Sequence, residues 1–171
     1  MNKKYKLKKT ILGKIIRPFF LLYRKYTAPF RKLPDFIIIG SQKAATTSLY
    51  AYLDSHPETS LSYNKEIHYF DISYQKKSLN WYKSYFPFVC NKKITGESTP
   101  DYFDDKRIPE RVFKTIPNVK LILLIREPIS RAFSHYQMMV RKKKEFLTFE
   151  LAINKENERL KSYYEKMEKD P

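Results

Sequence analysis

The sequence predicts an α/β domain, built as a three-layer arrangement with a parallel sheet flanked by helices. Two short, wholly apolar runs, "DFIIIG" and "VKLILLI", read as buried strands. Each leads into a segment with helical periodicity, "TTSLYAYLDS" and "ISRAFSHYQMMVRKKK". That strand–helix–strand–helix order is the signature of parallel pairing with helices over the sheet faces.

The domain is expected over residues 35–171, beginning just after Leu33-Pro34, behind a basic arm of residues 1–34. Eleven Lys or Arg precede Asp35, the first acid. The arm's apolar stretch, "TILGKIIRPFFLLYRKY", is interrupted by Lys14, Arg17 and Pro18, so no run is long enough to span a bilayer. It also lacks the clean apolar core and small-residue cleavage site of a secretory signal. The arm either lies peripherally on an anionic membrane surface, packs on the domain as a helix, or stays disordered. Pro18 is expected to break the amphipathic helix that surface binding would use.

Within the domain, "DFIIIG" is the first strand. "TTSLYAYLDS" is a helix that Thr46, Thr47 or Ser48 can cap, with Leu49 and Leu53 on one face and His56-Pro57 at its end. "SLNWYKSYF" reads as helix and "KKITGE" as strand. "IPERVFKTI" is a helix with Pro109 in its first turn. After the buried strand "VKLILLI" comes a helix with Ile129, Phe133 and Tyr136 at core spacing. The closing "FLTFELAINKENERLKSYYEKMEKD" is one polar helix or two.

Composition narrows the functional classes. A chain of 171 residues with 42% hydrophobic residues can bury a sizeable core, which argues against wholesale disorder. With three Gly, few turns can rely on positive φ. Cys90 is the only cysteine, so a disulfide framework is excluded and a reducing, cytoplasmic compartment is expected. No Cys and His cluster has zinc-site spacing, and no metal is expected. The net charge of +16, with a second basic block at Arg141, Lys142, Lys143 and Lys144, favours anionic partners or else a basic, solvated surface.

The loop after "FIIIG" concentrates the chemistry. In a parallel sheet, ligands sit beyond the carboxyl ends of the strands. Backbone N–H groups of this loop and the following helix N-terminus make an anion site. Lys43 adds a positive charge, and Thr46, Thr47 and Ser48 add hydroxyls. The pattern departs from the triphosphate loop G-x-x-x-x-G-K-[ST]. Ala45 stands at the second Gly, Thr46 at the Lys, and Lys43 lies inside the loop. Arg126 ends the strand "VKLILLI" where a magnesium-binding acid would stand, which favours an anion held without metal. Arg126 and Ser134, eight residues on in a helix, suit a second phosphate. The alternative is an ion pair between Arg126 and an acid such as Glu97, with Ser134 a packing residue.

"FIIIGSQKAATTSLYAYLDSHPE", "NKEIHYFD", "WYKSYFP", "TGESTPDYF", "IPERV" and "KLILLIREPISRAFSHY" occur in an order that resembles the sulfotransferase domain family, in its carbohydrate-directed, heparan-sulfate-type branch and bacterial relatives. The resemblance runs from about Asp35 to about Arg141. It implies a P-loop-NTPase-like fold and the donor 3′-phosphoadenosine 5′-phosphosulfate (PAPS), which has two phosphate sites and needs no metal. Lys43, Ala44, Ala45, Thr46 and Thr47 match the 5′-phosphosulfate cradle, with Ser48 beside them. Arg126 and Ser134 match the 3′-phosphate pair. Glu66 of "NKEIHYFD" matches the catalytic base, with His68 as its rival, and Lys43 would neutralise the leaving phosphate.

The implied acceptor is a hydroxyl or amine of a carbohydrate or glycolipid. The family's loop often has Gly where Ala44 and Ala45 stand, and vertebrate-type members carry Lys where Ser98 stands. Family members also continue beyond the point that Pro171 matches, so residues 35–171 are expected to be the N-terminal portion of the domain. Two rivals belong to other classes. A P-loop-like nucleotide kinase would want GK[ST] and a magnesium-binding acid. A basic membrane- or nucleic-acid-binding module would use the arm and the 141–144 block. Nucleic acid is not the expected partner, because most aromatics fall at core spacing instead of forming stacking platforms.

Overall fold

The computed structural model describes residues 11–168. They form two compact units, divided between Ile125 and Arg126. The first contains helix α1 (Ile11–Tyr26), strand β1 (Phe36–Gly40), helix α2 (Thr46–Ser55), helix α3 (Leu79–Lys83), strand β2 (Gly96–Ser98), helix α4 (Ile108–Thr115) and strand β3 (Lys120–Leu123). The second contains helices α5 (Pro128–Arg141), α6 (Phe149–Asn154) and α7 (Glu156–Glu168).

The sheet is parallel, in the order β2-β1-β3. Central β1 is apolar because both of its faces are covered. Ile37 points into a cluster with Phe70, Tyr82, Phe86, Tyr102, Ile108 and Val112, which brings α3 and α4 to one face. Ile38 and Phe36 point to the other, against Tyr50 and Leu61, with Leu49 and Leu53 of α2 packed beside them. These are the three expected layers. Fully burying each large apolar side chain stabilises the fold by about 1.5–3 kcal/mol.

Several elements depart from the sequence expectation. β2 covers Gly96–Ser98, so the strand lies toward the end of "KKITGE" and runs past it. "VKLILLI" is not wholly buried: Leu121 is 53% exposed and Leu123 37%. β3 is an edge strand of this sheet, paired through β1 alone. Ile129 and Phe133 of α5 are likewise exposed. Phe133 and Tyr136 instead meet Phe149 of α6, with ring centroids 5.2 and 5.3 Å apart.

Pro18 does not break α1, which runs through it for 16 residues. Proline removes one backbone donor, but the helix is held elsewhere. Arg24 Nη2 donates to the Phe86 carbonyl at 2.9 Å, and its Nε donates to Ser84 O. Buried Arg31 donates to the same Phe86 carbonyl at 2.9 Å and lies 4.2 Å over the Phe88 ring. Burial, and then the charge of Arg31, push the Arg24 guanidinium down to about 10. Residues 1–10 of the basic arm lie outside the described residues.

Candidate active site

The end of β1 sets the geometry. A Cβ on Gly40 would stand 2.7 Å from Phe103 Cβ and 3.2 Å from the Pro100 carbonyl. Gly40 therefore lets the 3-10 turn Pro100–Phe103 seat directly against the strand end. Beyond it, Ser41 N donates to Leu124 O at 2.9 Å, tying the loop to the chain after β3. Lys43 and Ala45 adopt φ of 68° and 67°, in the left-handed region. Each such non-glycine residue costs on the order of 1–2 kcal/mol. The two reversals wrap the loop around the start of α2, whose first N–H groups have no partner within the helix.

No hydroxyl caps α2. Its N-cap is Ala45, and Ser48 N and Leu49 N both donate to Ala45 O. The expectation of a Thr46, Thr47 or Ser48 cap fails because the left-handed Ala45 begins the helix at Thr46. Ala44 and Thr46 are buried, whereas Thr47 and Ser48 are exposed.

The segment "NKEIHYFD" lies beside this loop. Lys65 Nζ donates to Thr47 Oγ1 at 2.9 Å and to Glu66 Oε1 at 2.8 Å. Glu66 N donates to the Ser98 carbonyl at 2.9 Å, at the end of β2. Ser98 itself keeps a buried hydroxyl with no hydrogen-bond partner. Glu66 and His68 again adopt positive φ, 59° and 55°, so the chain turns sharply at both. The turn is held from below, where Tyr102 Oη accepts from Tyr69 N at 2.9 Å and Phe70 N at 3.3 Å.

His68 Nδ1 lies 2.6 Å from Asp71 Oδ2, and Nε2 lies 3.9 Å from Asp101 Oδ2. Gln42 Nε2, from the β1 loop, donates to Asp101 Oδ1. The hydrogen bond to Asp71 pushes the His68 imidazole up from its ordinary range, partial burial opposes this, and the charges of Asp71, Asp101 and Glu66 add to it. The donor atoms of His68, Asp71 and Asp101 all lie within 4.8 Å of one another, close enough to share a cation.

The structure thus brings Lys43, Ala44, Ala45, Thr46, Thr47 and Ser48 into one loop and helix start, with Glu66 tied to it through Lys65. Lys65, Asp71, Asp101 and Gln42 were not singled out from the sequence. Asp71 was legible as the i+3 partner of His68. Gln42 and Asp101 are far apart in the chain and met no local pattern.

Glu97 does not await an arginine. It is fully buried, and it accepts from Tyr82 Oη at 2.5 Å and from Thr99 Oγ1 at 2.9 Å. Arg126 and Ser134 fall in the second unit. Arg126 is exposed, just before α5, and Ser134 is half-buried within that helix. Between them Glu127 caps α5, accepting from Ile129 N at 2.8 Å and Ser130 N at 2.6 Å.

The sulfotransferase domain family matches residues 33–170. The chain belongs to that family. A Dictyostelium discoideum protein, membrane-associated sulfotransferase kil1, is 40% identical over 111 residues, covering 63% of this chain and 23% of that protein. Human heparan sulfate glucosamine 3-O-sulfotransferase 5 is 38% identical over 130 residues, covering 72% of this chain and 37% of that protein. The crystal structure of a sulfotransferase from Alicyclobacillus acidocaldarius superposes with a TM-score of 0.69 at 30% identity, covering 80% of this chain and 62% of that one. The chain therefore spans well under half the length of these two curated relatives. The structural match agrees with the P-loop-like α/β fold expected from the sequence.

Proposed function

We propose that the chain carries the donor cradle and base of a PAPS-dependent sulfotransferase that acts on a hydroxyl or amine of a carbohydrate or glycolipid. The observation that carries this is the Lys65 bridge, which ties the Glu66 carboxylate to Thr47 of an anion-binding loop. The loop suits a phosphate: it closes on a helix N-terminus, carries Lys43, and has only Ala at 44 and 45, so no bulky side chain blocks the backbone N–H groups. Lys43, Ala44, Ala45, Thr46, Thr47 and Ser48 hold the 5′-phosphosulfate, and Arg126 and Ser134 hold the 3′-phosphate. Residues 35–171 are the N-terminal portion of the domain, behind the basic arm 1–34, and the lone thiol Cys90 suits a cytoplasmic setting.

The transfer runs in line. Glu66 takes the proton from the acceptor atom as that atom bonds to sulfur. Lys43 neutralises the charge on the phosphate oxygen whose bond to sulfur breaks. His68 is the poorer base, because Asp71 favours its protonated form and an imidazolium has no lone pair to accept a proton. No metal takes part, since positive charge comes from lysine and arginine. The test pairs binding with turnover. The desulfated donor, PAP, should raise the melting temperature in the presence of a chelator. Glu66→Gln should keep that shift while losing about 10²–10⁴-fold in sulfuryl transfer to a polysaccharide acceptor. A shift that requires magnesium, or full turnover by Glu66→Gln, overturns the reading.

A further inference from the structure

Helix α1 has two unlike faces. Phe20 and Arg24 turn toward the body, where Phe20 meets Tyr63 at 4.9 Å between ring centroids and Arg24 binds the Phe86 carbonyl. Ile16, Phe19, Leu22, Tyr23 and Tyr26 recur at three- and four-residue spacing, which places them on one stripe. All five are exposed, Phe19 at 71% and Tyr26 at 74%. Phe30, 69% exposed, follows the helix, and Tyr23 of the stripe meets Phe88 at 6.4 Å between ring centroids. Val89, also exposed, adjoins it, donating its N–H to the Phe30 carbonyl at 2.9 Å.

A connected row of large apolar side chains marks a surface that is covered in use. Charge selects what covers it. The eleven Lys or Arg ahead of Asp35 have no acid among them, and exposed Arg17 and Lys25 lie on α1 itself. A second copy of the chain would set this positive charge against its own kind. An anionic bilayer answers both features, with the acyl boundary taking the aromatic stripe and the headgroups taking the cations. Tyr26, the most exposed of the five, has the apolar ring and polar tip that suit a membrane–water interface. The helix, 16 residues long, cannot cross a membrane but can lie along one.

We propose that α1, with Phe30 and Val89, lies in the interface plane of an anionic lipid bilayer and docks the domain there in a fixed orientation. Arg24 makes the orientation fixed, because it fastens the helix to the Phe86 carbonyl, and Arg31 holds the following turn to the same oxygen. The inference does not depend on the sulfuryl-transfer reading.

The single cysteine supplies the probe. Cys90 is exposed and follows Val89, so an environment-sensitive fluorophore on it reports the stripe's surroundings. The full chain so labelled is mixed with phosphatidylcholine vesicles, either pure or with about one-third phosphatidylglycerol. Co-sedimentation and a blue shift are expected with the anionic vesicles alone. The Phe19→Ser/Tyr26→Ser variant should lose the blue shift and about tenfold or more of the partitioning, at an unchanged melting temperature. Phe30→Ser gives an independent variant should the double one fail to fold. Absence of vesicle binding overturns the proposal. So does anionic binding unchanged in both variants, which is adsorption of the basic arm alone, or stripe-dependent dimerisation in place of vesicle binding.

Discussion

His68 Nδ1 stands 2.6 Å from Asp71 Oδ2, and this contact sets the charge of the imidazole. The bond is the largest cause raising the His68 pKa above its ordinary value of 6.5. A raised histidine contributes stability that is fully present below that ordinary value and is lost as pH rises through the folded one. Asp71→Asn removes the partner charge, so His68 should titrate lower and the loss should move to lower pH. With three histidines in the chain, ring-resolved NMR titration of wild type and variant can follow the His68 signal. An unmoved His68 titration in Asp71→Asn would refute the pairing.

Lys43→Ala should weaken PAP binding. A charge-assisted hydrogen bond contributes about 1.5–3 kcal/mol, equivalent to roughly 10–100-fold in affinity. Alanine faces the same positive φ as lysine at this position, so loop strain is conserved and the difference reports the side chain. Calorimetry with PAP is the measurement, and an unchanged Kd would remove Lys43 from the cradle.

The buried strand "FIIIG" and its following helix were legible because both faces of β1 are covered and α2 has a periodic apolar face. β3 read as equally buried, since an apolar run carries no sign of whether its strand lies at an edge. A helical arm packed on the domain was one of the sequence's alternatives, but that it runs through Pro18 was not legible, because the bonds that hold it reach Ser84 and Phe86, some sixty residues away. The site is only half legible for a related reason. Its sharp turns fall at Lys43, Ala45, Glu66 and His68, none of them glycine, so no turn signal marks them. Those turns aim Lys65 at Thr47 and His68 at Asp101. Tertiary packing by Tyr102 and the Pro100–Phe103 turn holds the strain that local propensity opposes.

Arg126→Ala distinguishes a 3′-phosphate ligand from a structural cation. The variant should lose about 1.5–3 kcal/mol of binding to PAP. Adenosine 5′-phosphosulfate has no 3′-phosphate and should bind wild type and variant alike. Equal losses for both ligands in calorimetry would place the second phosphate elsewhere.

Glu97 should make the fold less stable as pH rises. Its carboxyl is fully buried, and desolvation raises it to about 7, although the Tyr82 and Thr99 hydroxyls partly stabilise the anion. In the unfolded chain it titrates near 4.5. Between these values the native state binds the extra proton, so the slope of unfolding free energy against pH is negative. The penalty is absent below about 4, grows from there to about 7, and is then constant, reaching on the order of 3 kcal/mol. This is the reverse of the usual salt-bridged carboxylate. Glu97→Gln keeps the shape and removes the titration, its amide oxygen accepting from one of the two hydroxyls while its NH2 donates to the other. Urea unfolding across pH 5–8 should show this component of the slope in wild type and its loss in Glu97→Gln, with the variant gaining relative stability toward the alkaline end. A parallel pair of curves would mean that Glu97 is already ionised in the folded protein at acid pH, and that its two hydroxyl partners outweigh burial.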